Sequence, residues 1–194
     1  SYIEPHREYG FGFLDAIRDI FTFAPSAHQD VTPADAGLAV PQAAFGAMAQ
    51  TRWEFVRDLE GWETGMDITE PRVQEGMLTM QTTGNDPALF SPPLQIPAES
   101  FAYLHLRVRL QAAERNSNHA AAQLFWATRT ASESEANSVR FPIQADGQWH
   151  DYRIRLADNP RWRGQVTRLR FDPCERRGIA VQVVVIELLR SPRR

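Results

Sequence analysis

Lysine is absent from this 194-residue chain; all 21 of its basic residues are arginine. Two explanations stand side by side. Codon bias in a GC-rich genome produces the same composition, because arginine and lysine serve equally on a solvated face. Alternatively, the planar guanidinium is needed for bidentate contacts and ring stacking that lysine cannot make. Charge of either sign is not in excess: the formal net charge is −3, too near balance for a general affinity for nucleic acid. A single cysteine, Cys174, excludes an intramolecular disulfide framework and any multi-cysteine metal site. In its Pro-Cys-Glu-Arg setting it is either a partly exposed thiol or a small residue that fits. No apolar run approaches the ~18 residues of a membrane span, so a membrane-spanning protein is not expected. The opening Ser1-Tyr2-Ile3-Glu4-Pro5 lacks an initiator methionine and has no signal-peptide pattern. It suits a processed secretory product, an internal fragment or a tag remnant alike. No GxxxxGK[ST] phosphate loop occurs.

What is present changes character near residue 50. In the first 50 residues, Phe13, Leu14, Ile17, Ile20 and Phe21 recur at three- and four-residue spacing, with Asp15, Arg18 and Asp19 between them. That is the pattern of a short amphipathic helix, preceded by Gly10 and Gly12 and stopped by Pro25. Residues 24–50, rich in alanine, proline and small polar residues, read as an extended arm. From residue 51 the pattern is alternation, in runs at 51–57, 77–83, 88–90, 101–111, 121–128, 138–143, 150–156, 166–171 and 179–189. Turn signals separate them at Gly61, Gly76, Gly84-Asn85-Asp86-Pro87, Pro92-Pro93, Asn116-Ser117-Asn118, Asp146-Gly147, Asn159-Pro160 and Arg177-Gly178. Parallel crossovers need a dozen or more residues, which these short connections do not supply. The expectation is an all-β protein: an antiparallel β-sandwich of jelly-roll type over residues 51–190, with an N-terminal arm and one short helix over residues 1–50.

Counting alternate residues assigns faces. Leu104, Leu106, Val108 and Leu110 share one side, leaving Tyr103, His105, Arg107 and Arg109 on the other. Val139, Phe141, Ile143, Tyr152, Ile154, Leu156, Leu169 and Phe171 turn inward. Ser138, Arg140, Asp151, Arg153, Arg155, Arg168 and Arg170 turn outward, and Phe125 lies opposite Leu124 and Trp126. The outward residues either form a cationic face with aromatic patches, suited to an acidic glycan or an acidic protein surface, or blunt exposed sheets by pairing with neighbouring acids. Which strands share a sheet decides between these.

With strands and turns placed, the chain resembles the jelly-roll, carbohydrate-binding-module-like domains of the galactose-binding-domain superfamily, which recur in bacterial polysaccharide-associated proteins. The residues that carry the resemblance begin with Trp53-Glu54-Phe55, Leu59-Glu60-Gly61-Trp62 and Glu75-Gly76-Met77-Leu78. They continue with Gly84-Asn85-Asp86-Pro87, Gln123-Leu124-Phe125-Trp126 and Trp149-His150-Asp151-Tyr152. Trp162-Arg163-Gly164 and Leu169-Arg170-Phe171-Asp172-Pro173 complete them. The similarity covers roughly residues 51–190. It implies non-catalytic glycan recognition in an extracytoplasmic (periplasmic or secreted) setting, often with a structural calcium. The final strand, Val183-Val184-Val185-Ile186-Glu187, lacks the mid-strand Asp of many relatives. No calcium site is therefore carried over, and no cofactor is expected.

Modules of this kind set aromatic rings against sugar faces and polar groups against hydroxyls. The candidate ligand-binding residues are Tyr103, His105, Arg107, Phe125, Arg140 and Arg153. Trp62, Trp149 and Trp162 lie near turns and are assigned to the core or its edges, because tryptophan buries a large area. The histidines His6, His28, His105, His119 and His150 show no metal-ligand spacing. The nearby carboxylates Asp58/Glu60 and Glu133/Glu135 do not make a catalytic pair by adjacency, since a glycosidase holds its two carboxyls across a cleft; no catalytic residue is expected. An alternative function is a structural accessory subunit of a larger complex, membrane-associated or not. It would dock on partner subunits through Phe13, Ile17, Ile20 and Phe21 of the arm and through the arginine-rich sheet face.

Overall fold

A computed structural model describes residues 50–112 and 118–191. All of these lie in the second of the two units into which the chain divides, Gly46–Arg194. The proposed helix with Phe13, Ile17, Ile20 and Phe21 lies outside the described residues.

Among the described residues twelve strands follow in chain order: β1 (Arg52–Trp53), β2 (Glu63–Thr64), β3 (Arg72–Gln74), β4 (Met77–Gln81), β5 (Leu89–Phe90), β6 (Ile96–Pro97), β7 (Tyr103–Ala112), β8 (His119–Thr128), β9 (Ser138–Gln144), β10 (Asp146–Arg155), β11 (Gln165–Asp172) and β12 (Ile179–Leu189). The only helical pieces among the described residues are three-residue 3₁₀ turns at 98–100, 135–137 and 156–158. The strands form two antiparallel sheets. The first runs β10-β7-β12-β4-β3, with β1 also against β12; the second runs β2-β5-β11-β8-β9, with β6 also against β11. The fold is the expected all-β sandwich with jelly-roll connections. The chain passes back and forth between the sheets: β7, β10 and β12 belong to the first, and β8, β9 and β11 to the second.

Alternation explains which side chains meet between the sheets. Leu104, Leu106, Val108 and Leu110 of β7 are at most 1% exposed, as are Val181, Val183 and Ile186 of β12. They face Leu124, Trp126, Phe141, Leu169 and Phe171 of the second sheet in one continuous core. Two aromatic clusters anchor it. Trp53 packs edge-on against Trp62 at 5.4 Å, and Trp126 against Trp162 at 5.0 Å. The Trp162 indole donates to the Phe101 carbonyl at 2.7 Å. Trp62 and Trp162 are thus core residues, as assigned from sequence. Cys174 is also buried, and burial raises its thiol pKa, which leaves it the small residue that fits.

One register feature shapes the outer face. The chain crosses from the second sheet to the first at Ala145, and the register of β10 against β7 shifts between Asp146 and Trp149. Gly147 makes this possible with φ +78°, a conformation that side chains with a Cβ adopt only under strain. Beyond the bulge Trp149 pairs with Arg109 and points away from the core. A second shift, in β12 between Val183 and Val185, puts Val185 opposite Arg107 on the same outer face. Val185 is buried yet outside the core cluster.

Candidate functional site

The outer face of the first sheet is built by β10, β7, β12 and β1. Cross-strand register aligns Arg155 with Tyr103, Arg153 with His105, Asp151 with Arg107 and Trp149 with Arg109. On the other side of β7, Glu187 stands opposite His105 and Gln182 opposite Arg109, and Arg52 of β1 stands opposite Glu187. The odd-numbered residues of β7 and β10 thus share one surface because both strands turn their even-numbered apolar ones inward.

A polar network crosses this surface. Arg107 donates from Nη1 to Asp151 Oδ2 at 2.6 Å. The other Asp151 oxygen lies 3.1 Å from His105 Nε2. The second ring nitrogen of His105 is 3.4 Å from Glu187 Oε2, an oxygen that also accepts from Arg52 Nη1 at 2.5 Å. Arg52 reaches on to Glu54 at 2.7 Å, and the Glu54 hydrogen bond leads the effects that raise the Arg52 pKa. Arg109 donates from Nε to Gln182 Oε1 at 2.5 Å. At the end of β10, His150 Nε2 lies 2.9 Å from Asp146 Oδ1. That hydrogen bond is the main cause of a lowered Asp146 pKa.

Rings and guanidinium groups alternate across the same face. The Arg153 carbon Cζ sits 4.2 Å over the Tyr103 ring, with Arg155 at 5.8 Å. Arg109 and Arg107 lie 5.1 and 5.9 Å from the Trp149 ring. Such stacking holds each guanidinium plane in place while its N–H edges stay available. A pleated sheet holds these groups at fixed spacing, so a bound ligand would not have to order the surface first.

Four sequence candidates, Tyr103, His105, Arg107 and Arg153, therefore share one surface. Phe125 and Arg140 do not. They lie on β8 and β9 of the second sheet, so the six candidates divide between the two sheets, a division the sequence left open. Phe125 is also only 7% exposed. Arg170 stacks over it at 4.9 Å, and residues 133–135 line the cleft beside it, so alternation assigned its side but not its cover. Arg140 is paired with Glu175. Trp149, read from sequence as a core or edge residue, lies on β10, the edge strand of the first sheet, half-buried and opposite Arg109 on the outer face. The alternation of Asp151 and Arg153, counted back two residues, would have found it.

The second sheet's outer face has its own ion-pair group. Arg170 donates from Nε and Nη2 to the two Asp172 oxygens at 2.7 and 2.8 Å, and its Nη2 also reaches Asp86 at 2.5 Å. Burial pushes the Asp172 carboxyl up to about 6, against the pull of Arg170. Arg168 stacks over Phe90 at 4.2 Å. Three of the four carboxylates considered as acid–base pairs have structural work. Glu60 Oε1 accepts from the backbone N–H of Glu54 and Phe55, Asp58 accepts from the Glu60 N–H, and Glu135 accepts from the Gln123 amide. Among the described residues no group of three or more His, Cys, Asp or Glu side chains converges as a metal site requires. No helix among them is long and apolar enough to cross a membrane.

No family model and no curated protein sequence matches the chain. Among solved structures, it is similar to a family 29 carbohydrate-binding module complexed with mannohexaose. The TM-score is 0.50 at 11% identity, over 72% of this chain and 91% of that one. A further family 29 module gives a TM-score of 0.47 at 10% identity, over 71% and 87% of the two chains. A low-affinity xylan-binding module of family 86 from the gut symbiont Roseburia intestinalis gives 0.46 at 13%, over 73% and 97%. At 11% identity the first of these likenesses shows the fold alone, a two-sheet antiparallel β-sandwich.

Proposed function

We propose that the sandwich is a non-catalytic glycan-binding module, and that its contact surface is the outer face of β10, β7 and β12. One observation carries this reading. Tyr103 and Trp149 stand on that open face with a continuous set of polar groups between them: Arg107, Asp151, His105 and Glu187. Saccharide recognition needs ring surface and hydrogen-bonding groups arranged together on a rigid support. The shared fold with a family 29 carbohydrate-binding module supports it. The corresponding setting is extracytoplasmic, periplasmic or secreted, where polysaccharides are met, and the module works without a cofactor.

Affinity electrophoresis on gels containing neutral and acidic polysaccharides tests this. At least one polymer should retard the protein, and Tyr103→Ala and Trp149→Ala should each weaken the retardation. Arg140→Gln, on the opposite sheet, should not. A protein retarded by no polysaccharide, and recovered from its source cell in a stable assembly, would instead be an accessory subunit docking on partner proteins.

A further inference from the structure

Building on that glycan-binding reading, we propose that the ligand is an acidic polysaccharide whose uronate carboxylates are held by Arg109 and Arg153. The two acids of the platform are already engaged: Asp151 with Arg107 and His105, and Glu187 with Arg52 and His105. Arg109 and Arg153 differ from the other arginines there. Neither makes an ion pair among the described residues. Arg109 has only its Nε committed, to the Gln182 amide oxygen, which leaves both terminal Nη groups free. Arg153 stacks on the Tyr103 ring, a contact that uses its face and not its N–H edges. Each thus presents pre-positioned terminal donors that no acceptor among the described residues takes, and a carboxylate is the planar, bidentate acceptor that matches them.

The rings point the same way. A neutral sugar binds an aromatic platform by laying its C–H face on the ring. Here guanidinium groups already lie over Tyr103, at 4.2 and 5.8 Å, and near Trp149, at 5.1 and 5.9 Å. Such a sugar would have to displace them. An anionic sugar uses them where they stand, and the rings then serve as supports that keep the arginines extended. Arg153 stands opposite His105, four residues along β7 from Arg109. At about 3.3 Å per residue, the two forks are roughly 13 Å apart. That separation exceeds one sugar ring, so the ligand is a chain with repeated carboxylates.

Affinity electrophoresis and calorimetry on polygalacturonate, its fully methyl-esterified form, neutral glucomannan and dextran sulfate provide the test, with R109Q, R153Q and R140Q as variants. Polygalacturonate should bind the wild type, more weakly as salt rises. Affinity should fall about tenfold in R109Q and in R153Q, the loss of one charged hydrogen-bond set, and stay unchanged in R140Q. The esterified polymer, which keeps the backbone but loses the charge, and glucomannan should bind far less. If neutral and esterified polymers bind as well as polygalacturonate, with R109Q and R153Q unaffected, the acidic assignment falls while the glycan-binding reading stands. Dextran sulfate binding as tightly as polygalacturonate would reduce the effect to charge attraction and overturn the carboxylate assignment. Binding to none of the four would overturn both.

Discussion

Trp149 and Trp162 are both tryptophans beside turns, yet they should respond oppositely to truncation. Trp162 is 4% exposed, packs edge-on against Trp126 at 5.0 Å and donates to the Phe101 carbonyl at 2.7 Å. Trp162→Ala loses a core side chain, about 3–5 kcal/mol, and strands a buried carbonyl, about 1–3 kcal/mol more. Trp149 stands on the outer face and touches Arg107 and Arg109. Cation–π contacts at such sites contribute about 0.5–1 kcal/mol each, so Trp149→Ala should cost only about 1–2 kcal/mol. At about 2–4 °C per kcal/mol for a domain of this size, the melting temperature should drop by about 2–8 °C for Trp149→Ala and by about 8–32 °C for Trp162→Ala. Thermal melts followed by far-ultraviolet circular dichroism measure both. The folded Trp149→Ala protein should also lose glycan retention. A Trp149→Ala melting point as low as that of Trp162→Ala would place Trp149 in the core and refute the platform.

Two further outcomes follow from the second sheet. Asp172, pushed up to about 6 by burial, keeps its proton in the folded state at pH values where the unfolded chain, with an ordinary carboxyl near about 4, has released it. Its contribution therefore favours folding most below about pH 4 and declines as pH rises to about 6. The loss is about 2–3 kcal/mol at neutral pH for a shift of about two units. Urea unfolding from pH 4 to 7 should show this slope, and Asp172→Asn should flatten it; a slope unchanged in Asp172→Asn assigns it to other groups. Phe125→Ala should cost about 3 kcal/mol through the side chain lost beneath Arg170 and leave glycan retention intact. Retention lost in a folded Phe125→Ala protein would move the site to the second sheet.

Much of the sandwich was legible because long strands repeat their pattern. Leu104, Leu106, Val108 and Leu110 alternate over a ten-residue strand, β7, so composition alone assigns the side. The strands β2, β3 and β6 are two or three residues long, too short for any alternation to register. Sheet membership was not legible either. The partners of Arg140 and Arg153 are set by cross-strand contacts far apart in sequence, so both looked simply outward. Phe125 lies beneath Arg170 and beside the cleft lined by residues 133–135, a juxtaposition that no local pattern records. Trp149 was within reach. Asp146-Gly147 looked like a turn, whereas the strand continues through it as a bulge, and ending the count at residue 150 hid the ring two positions short of Asp151.

The most direct test is an indole-resolved NMR titration with oligogalacturonates. Of the five tryptophans, Trp53, Trp62, Trp126 and Trp162 are core residues at most 4% exposed. Trp149 alone should therefore shift its Nε1–H signal strongly, together with backbone amides of β7 and β10. Shifts gathered instead around Phe90, Arg168 and Arg170, or an unmoved Trp149 signal in a saturated complex, would contradict the assignment of this face.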